Sequence, residues 1–510
     1  MQYDHQHNGK KWGMLLILLC AAGSMAGCKK MVDAGEPKNT ITTDRAFSTN
    51  ALANAALAGV FSQLMTNTGS MIFSNGATTI YAGLSADELE NFAGTLNLFD
   101  NQFFTNQILI DNPAPNSYIW QPAYKIIYNC NGAIEGIAAS TSTLLTDSVR
   151  KVLTGEAKFV RAFCYFYLTN LFGDVPLVLT TDYTQTVSMA RTPQATVYNQ
   201  IVQDLADARE LLQKDYSTAA GERIRPNKWA ATALLARVYL YQQNWAAAEA
   251  AASEVIANSQ YSILSDLNKV FLLNSQETIW QLQQNNTKSP RNVTWDGLNF
   301  VPTFRWSTFP AATQFVFSNP ATFNTSATFF IPPYFFSKQM AEAFEPGDKR
   351  KTTWTDSVPS PAASNYLGRV YYFPFKYTSS TGTIGGAITQ YYMVLRLAEQ
   401  YLIRAEARAQ QGTNLTGAAS DLNVLRTRAG LVNTTAATQT DLLTAVARER
   451  RTELFAEWGH RWFDLKRRNA ASTVLSSITN KQPWSDNALL YPIPTLEITN
   501  NHNLVQNTGY

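Results

Sequence analysis

Histidine and cysteine are scarce in this sequence, with four of each in 510 residues. His5 and His7 belong to the N-terminal segment, which leaves His460 and His502 for the rest of the chain. So few imidazoles nearly exclude a multi-histidine metal site and disfavour a Ser-His-Asp triad. The sequence also lacks G-x-S-x-G, P-loop and H-E-x-x-H motifs. We therefore expect neither a metal site nor a cofactor.

The remaining cysteines and the charge balance disfavour two further classes of protein. Cys130 and Cys164 lie among aromatic residues in helix-like segments. Such surroundings predict small buried hydrophobic side chains, with a single disulfide or a reactive thiol as the alternatives. Lysine and arginine number 41 against 38 aspartates and glutamates, and no basic stripe is present. A nucleic-acid partner is therefore not expected.

The N-terminus carries an export signal. Lys10 and Lys11 precede a short apolar run, LLILLCAA, which has the length of a signal-peptide core and is too short to span a bilayer. The sequence Met-Ala-Gly that follows ends at Cys28 and resembles the lipobox of bacterial lipoproteins. We predict a signal peptide over residues 1–27, lipid attachment at Cys28 and a flexible tether over 28–42. Simple secretion and an uncleaved anchor are the alternatives.

Apolar residues at helical spacing recur along most of the remaining chain. They predict helices over residues 43–64, 117–138, 154–172, 193–212, 227–259 and 441–468. The helix over 227–259 is expected to break near Asn244, where small residues such as Ala236, Ala248 and Ala252 would allow two halves to pack closely. Residues 402–430 repeat this pattern, with a turn at Gly412 to Asn414. Both stretches predict tetratricopeptide-type helix pairs.

The helix predicted over 441–468 carries Leu454, Trp458, Trp462 and Leu465 on one face. Glu457 and Arg461 are one turn apart and are expected to pair. We predict that this helix, His460 included, stabilises the fold and takes no part in chemistry.

Between the two helix pairs, at about residues 262–390, helical periodicity disappears. Residues 306–337 contain no charged side chain but many Phe, Thr, Ser, Asn and Pro residues. So many aromatic rings argue against disorder. We predict a packed, irregular, loop-rich lobe in which most rings form the core and a few line a binding surface.

Four phrases identify a family resemblance: GEAKFVRAFCYFYLTNLFGDVPLVL, the pair over 402–430, RERRTELFAEWGHRWFDLKRRN and the closing YPIPTLEITNNHNLVQNTGY. With them the chain resembles the SusD/RagB family of outer-membrane nutrient-binding lipoproteins. The last phrase departs slightly from the family pattern at His502 and Thr508. The resemblance implies a single all-α domain over 43–510, built of tetratricopeptide-like pairs and a loop-rich lobe. It also implies a surface-exposed, lipid-anchored protein on the outer membrane that partners a SusC-type TonB-dependent transporter.

In relatives, the ligand meets aromatic and polar groups on loops of the lobe and on the passage after the first helix. The matching stretches are 81–91, expected to be loop with a short helical turn, and 295–330. Rings beside carboxylate, amide or guanidinium groups suit a sugar. The candidate ligand residues are Tyr81, Asp87, Glu88, Asn91, Trp295, Asp296, Arg305 and Trp306.

We therefore predict a non-catalytic protein that binds oligosaccharides at the cell surface and delivers them to the transporter. Oligopeptide binding by a member of the same family is the alternative. An enzyme that cleaves glycans is a third hypothesis, because it needs only two suitably spaced carboxylates, for which Asp87, Glu88 and Asp296 are candidates. A purely structural tetratricopeptide protein is the fourth.

Overall fold

The structure, a computed structural model, describes residues 43–65, 70–284 and 290–510. The predicted signal peptide, Cys28 and the whole of the predicted tether lie outside these residues. Six short strands are found in the described chain: β1 Leu89–Asn91, β2 Thr278–Leu282, β3 Tyr334–Phe336, β4 Thr355–Pro359, β5 Val370–Pro374 and β6 Tyr392–Arg396. None of the helices in these ranges is long and apolar enough to cross a membrane.

The described part of the chain is mostly helical. The α-helices are α1 Thr43–Ala46, α2 Asn50–Gln63, α3 Ala77–Ser85, α4 Leu98–Thr105, α5 Gln121–Ala139, α6 Asp147–Phe172, α7 Tyr183–Thr186, α8 Gln194–Leu211, α9 Lys228–Tyr241, α10 Trp245–Ile256, α11 Trp295–Phe300, α12 Ala311–Phe317, α13 Pro320–Phe330, α14 Lys338–Ala341, α15 Lys349–Thr353, α16 Leu397–Gln411, α17 Leu415–Arg428, α18 Gln439–Glu453, α19 His460–Arg467, α20 Ala471–Leu475 and α21 Thr495–Asn500. A π-helical turn, Pro115–Trp120, leads into α5.

The long helices form a stack in which α6 packs against α5 and α8, α8 against α9, α9 against α10, α10 against α16, and α16 against α17. Both predicted helix pairs are confirmed. Their turns end at asparagines that cap the second helix: the Asn244 side chain accepts from the backbone N–H of Ala247, and the Asn414 side chain from that of Gly417. An asparagine in this position satisfies an N–H that the helix itself leaves without a partner.

Small residues hold the two pairs together. Ala236, Ala248 and Ala252 are completely buried and pack with Ile403 and Ala407 of α16 in one apolar cluster. Because their side chains are so short, α9 packs directly against α10, and both lie against α16 of the second pair. The close approach predicted from these alanines is therefore confirmed.

The loop-rich lobe lies between α10 and α16. Strands β2 and β6 pair in antiparallel fashion, so the segments that enter and leave the lobe are hydrogen-bonded to each other. Strand β3 pairs with β1, which joins the lobe to the passage after α3, and β4 pairs with β5 within the lobe. The prediction that residues 306–337 lack regular structure is wrong, because α12 and α13 form there. Asn319 caps α13 and Pro320 occupies its first turn, where a missing N–H costs nothing.

The prediction of a single helix over 441–468 is also wrong. The structure has two helices, α18 and α19, separated by a turn in which Ala456, Trp458 and Gly459 take positive φ angles. This turn directs the side chain of Glu457 to Arg396, at 2.8 Å, and to Lys376, at 2.5 Å. The predicted Glu457–Arg461 pair therefore does not form. Trp458 and Trp462 are nevertheless buried, as expected for scaffold residues.

A buried network of charges joins the lobe to the helices. Its centre is Glu453, the last residue of α18, whose carboxylate accepts hydrogen bonds from Arg350, Arg396 and Arg428. Glu277, which directly precedes β2, pairs with Arg396 and Arg428 in turn. Although burial opposes ionisation of Glu453, the three guanidinium groups hold its pKa well below the ordinary value. The lobe, α17 and α18 are thus tied to one carboxylate.

Cys130 and Cys164 are both buried, and neither forms a disulfide. Burial raises the pKa of the Cys130 thiol to about 12, so this side chain stays protonated and unreactive at neutral pH. The prediction that the two cysteines are small core residues is confirmed.

Candidate functional site

A surface cleft opens on the lobe directly after α11. It has a volume of about 260 Å³ and is lined by Val301, Pro302, Thr303, Phe304, Arg305, Thr308, Phe309 and the run Thr378, Ser379, Ser380 and Thr381. The first wall follows α11 in sequence, and the second is the segment between β5 and β6. The two walls are joined by a hydrogen bond from Ser380 Oγ to the carbonyl oxygen of Pro302, at 3.2 Å.

Phe304 is the exposed ring of this cleft, with 47% of its surface accessible. Its backbone N–H donates to the carbonyl of Phe329 on α13, at 2.9 Å. Its ring lies 5.7 Å from that of Phe329, 6.1 Å from that of Phe309 and 6.4 Å from that of Phe330. The ring is therefore held by an aromatic cluster beneath it while one side remains open to solvent.

Arg305 presents its guanidinium group next to Phe304. Its Nε donates to Asp356 Oδ2 at 2.9 Å, and its Nη2 lies 2.8 Å from the same oxygen. The guanidinium carbon lies 3.8 Å from the centre of the Phe375 ring, which is a cation–π contact. Within the described residues Nη1 has no hydrogen-bond acceptor, and about a third of the side chain is exposed. Arg305 is thus fixed in position and still has donors available.

The second wall supplies hydroxyl groups. Thr378 is anchored by Gln390, whose Oε1 accepts from both the backbone N–H and the Oγ1 of Thr378. The wall packs so tightly on α11 that a Cβ at Gly297 would lie 2.4 Å from the carbonyl oxygen of Ser379. Any side chain at Gly297 would push the wall outward, so glycine is required there by this close approach.

Asp87 and Glu88, two of the predicted ligand residues, are buried and engaged within the protein. Asp87 pairs with Arg461, at 2.6 Å, and with Arg451, at 2.7 Å. Burial opposes ionisation of Asp87, but these two arginines keep its pKa below the ordinary value. Glu88 accepts from the backbone N–H of Ala456, and burial raises its pKa to about 7. Both carboxyl groups hold the α18–α19 turn against α3, and their contact with ligand stays a prediction.

Tyr81 and Asn91 are also placed inside the protein. The passage over 81–91 is not the loop that the sequence predicts: Tyr81 belongs to α3, and its ring lies 4.3 Å from that of Phe103. Asn91 is on β1, opposite Tyr334 of β3, and only 9% of its surface is exposed. The pairing of β1 with β3 does bring this passage to the lobe, but it turns these side chains into the interior.

Trp295, Asp296 and Trp306 lie behind the cleft. Trp295 and Asp296 begin α11 and are buried; Asp296 accepts from the hydroxyl of Tyr392 at 3.2 Å, and burial raises its pKa well above the ordinary value. The ring of Trp306 packs at 5.5 Å from that of Phe330, in the aromatic cluster of the lobe. These three residues support the cleft and do not line it. Of the eight candidates, Arg305 alone is on its surface, and its contact with ligand stays a prediction.

The sequence carries only a weak indication of the cleft residues that were not predicted. Phe304, Thr308 and Phe309 belong to the stretch 295–330 that the resemblance indicated, but the sequence favours Trp295 and Trp306, because each stands next to a charged residue. The second wall is part of TSSTGTIGG, a Ser/Thr/Gly-rich sequence typical of an exposed loop. Its position opposite Phe304 depends on the β2–β6 pairing, which the sequence does not reveal.

Comparison with known families and structures agrees with this architecture. The SusD family model matches residues 210–510, more than half of the chain. The chain belongs to the SusD family. A second model, described as starch-binding associating with outer membrane, matches residues 47–240. The fold class predicted from the sequence is therefore confirmed, as is the family.

SusD-like proteins are similar to this chain over lengths that range from about half of it to nearly all of it. SusD-like protein P2 of Formosa agariphila is 26% identical, with 98% of this chain and 100% of that protein covered. The starch-binding protein SusD of Bacteroides thetaiotaomicron is 27% identical, with 72% and 74% covered. The chain spans about half the length of a further relative, SusD-like protein P25 of Formosa agariphila, at 24% identity.

Solved structures show the same fold. A laminarin-binding SusD-like protein superposes with a TM-score of 0.73 at 24% identity, covering 91% of this chain and 100% of that one. A SusD superfamily protein from Parabacteroides distasonis gives 0.70 at 22% identity, with 92% and 100% covered.

Proposed function

We propose that this SusD-family protein binds oligosaccharides without cleaving them, and that the cleft between residues 301–309 and 378–381 is the binding site. The observation that carries the proposal is the exposed Phe304 ring beside Arg305 and a wall of hydroxyl groups. A sugar ring has an apolar face that stacks on an aromatic side chain, and hydroxyls that both donate and accept hydrogen bonds. At the level of the family, the proposal is also supported by the similarity to a starch-binding and a laminarin-binding protein.

The cleft does not have the groups that glycan cleavage needs. Glycosidases place two carboxyl groups on either side of the scissile bond. Among the described residues that line the cleft, none is Asp or Glu. Asp356, whose carboxylate contacts the lining residue Arg305, is held in an ion pair with it. The three carboxyl groups considered for catalysis, Asp87, Glu88 and Asp296, are buried. These placements support capture and not hydrolysis.

Phe304→Ala is expected to weaken oligosaccharide binding. Aromatic contacts contribute about 0.5–1.5 kcal/mol beyond their buried area, so the dissociation constant should rise about two- to tenfold. Calorimetry against a panel of oligosaccharides, with oligopeptides of similar size as a second panel, makes the measurement. The matched control is Phe315→Ala, because Phe315 is an exposed ring on the same lobe outside the cleft. An equal loss in both variants, or tighter binding of peptides than of any oligosaccharide, would refute the proposal.

The proposal includes a lipid anchor at Cys28. The acylated residue would hold the protein at the outer membrane, since two or three acyl chains bind a bilayer durably whereas one binds marginally. Cys28→Ser should move the protein from the membrane fraction to the soluble fraction, because acylation requires the thiol. The measurement is cell fractionation with an immunoblot. A Cys28→Ser protein that remains with the membrane would contradict the anchor.

We also propose a TonB-dependent transporter as the partner, with an apolar patch on the helical side as a contact. The patch consists of Leu96, Leu98, Phe99, Leu109, Ile110 and Leu496, all of which are exposed. Hydrogen bonds hold its segments together: Asn112 Nδ2 donates to the Phe99 carbonyl, and Thr495 Oγ1 to the Ile110 carbonyl. Clustered exposed apolar side chains of this kind mark interaction sites on otherwise soluble domains.

The double substitution Leu96→Glu and Leu98→Glu should reduce co-purification with a barrel protein from mild detergent, because it places two charges in the patch. Folding should be unaffected, since both side chains are largely exposed. The control is Leu144→Glu with Val432→Glu, two equally exposed positions away from the patch. Recovery of the same amount of barrel protein with both double variants would exclude the patch from the interface.

A further inference from the structure

The cleft carries almost no charge. Arg305 is the one ionisable residue among the described residues that line it. Its charge is balanced by Asp356, which accepts from Nε at 2.9 Å and lies 2.8 Å from Nη2. The Asp356 side chain is mostly buried, so the pair is only partly screened by water. A ligand that contacts Arg305 therefore experiences the positive guanidinium group and the negative carboxylate of Asp356 together.

The surroundings of the cleft are equally uncharged. Apart from tyrosines, residues 292–337 include two ionisable side chains, Asp296 and Arg305, and residues 377–389 include none. Asp296 is fully buried behind the cleft, where the Tyr392 hydroxyl donates to it, and burial raises its pKa well above the ordinary value. Lys376, which precedes the second wall, is buried and directed to Glu457. No unbalanced charge from these described segments faces the cleft.

A charged ligand and a neutral one would experience this surface differently. A uronate or sulfate group that leaves water needs an unpaired cation or several donors to compensate it. Near Arg305 it would also meet the carboxylate of Asp356, and repulsion would offset the attraction. The hydroxyls of a neutral sugar can accept from Arg305 Nη1, donate to Asp356 and do both with Thr308 or Thr378.

We infer that the cleft selects uncharged oligosaccharides and discriminates against glycans that carry uronate or sulfate groups. This inference rests on the proposed glycan-binding function and adds the class of ligand. The balanced Arg305–Asp356 pair and the uncharged walls around Phe304 carry it.

The test is calorimetry of the purified full chain with two panels of oligosaccharides of equal length. One panel is neutral and the other carries uronate or sulfate groups, and each is measured at low and at high ionic strength. We expect a neutral oligosaccharide to bind with an affinity that changes less than about twofold with salt, because no net charge is neutralised. Every anionic oligosaccharide should bind at least about tenfold more weakly. An anionic glycan that binds best, and whose affinity falls with salt, would overturn the inference while glycan binding stands. Binding by neither panel would overturn the proposed function as well.

Asp356→Asn provides a second, independent measurement. It leaves the Arg305 charge unbalanced at nearly constant shape, so the ratio of anionic to neutral affinity should rise about fivefold or more. Thermal melts confirm that the variant is folded, and the ratio itself does not depend on the fraction of active protein. An unchanged ratio in a folded variant would show that the ion pair does not set the preference, and would overturn the inference.

Discussion

Glu453→Gln is expected to lower the free energy of unfolding by about 3–5 kcal/mol, the usual result of removing one partner from a buried ion pair. The carboxylate of Glu453 accepts from Arg350, Arg396 and Arg428, so its loss leaves three buried guanidinium groups with one anion fewer. Glu277 and Glu457 remain near Arg396 but cannot take its place, because both are already engaged. Since single domains are stable by only about 5–15 kcal/mol, urea or thermal unfolding will detect the change easily.

The matched control is Glu254→Gln, which removes a carboxylate from an exposed pair with Arg209. Exposed pairs contribute about 0–1 kcal/mol, so this variant should unfold almost like the unmodified protein. Equal stabilities of Glu453→Gln and Glu254→Gln would mean that the buried network adds nothing to the fold.

The difference between Glu453→Gln and the unmodified protein should also depend on pH. The pKa of Glu453 lies well below its ordinary value in the folded protein, because the three arginines outweigh the effect of burial. A carboxylate with a lowered folded pKa stabilises the protein fully above its unfolded pKa of about 4.3. This stabilisation is lost as the pH falls from there through the folded pKa. The variant lacks the group, so the difference in stability should be largest at neutral pH and shrink below about pH 4.

Helix pairing was predictable from the sequence because local residues determine it. Asn244 and Asn414 each cap a helix through a side chain that reaches only three residues along the chain. The small residues Ala236, Ala248 and Ala252 mark the faces that approach closely. Signals of this kind need no knowledge of distant segments.

The break between α18 and α19 and the fate of Asp87 were not predictable in the same way. Nothing in the local sequence except Gly459 indicates a break, and helical spacing continues across it. The turn forms because Glu457 pairs with Lys376 and Arg396, far away in the chain. Asp87 is neutralised by Arg461, which lies 374 residues further along. A carboxylate on a supposed loop suggested a ligand contact, whereas tertiary partners made it part of the interior.

The candidate site depends partly on local sequence and partly on contacts with distant segments. Arg305 lies on the surface of the lobe, and its contact with ligand stays a prediction. The sequence favours Trp306 because it stands beside Arg305, but this larger ring is buried while the smaller Phe304 is exposed. Ring size favours burial, because a larger apolar surface gains more on leaving water. In an uncharged, aromatic segment, a phenylalanine that follows a proline or a turn, such as Phe304, is therefore also a candidate for stacking on a ligand.

Trp458→Ala is expected to destabilise the protein by about 3–5 kcal/mol, as truncation of a large buried aromatic side chain does. Trp458 lies where the lobe, α6 and the α18–α19 turn meet: its ring is 5.4 Å from those of Phe163 and Tyr167 and 5.0 Å from that of Tyr392. Its Nε1 donates to the carbonyl of Met393 on β6 at 2.6 Å, so truncation also leaves a buried acceptor without its partner. Thermal or denaturant unfolding measures the loss.

Trp484→Ala makes the same chemical change at a partly exposed position and should cost clearly less. Phe304 and the cleft do not contact Trp458, so the Trp458→Ala protein should bind oligosaccharide normally under conditions where it is folded. Stability equal to that of Trp484→Ala would show that Trp458 is not part of the core that joins lobe and helices. Normal stability with lost binding would instead place the α18–α19 turn in the ligand site, because a purely structural residue affects binding only through the folded fraction.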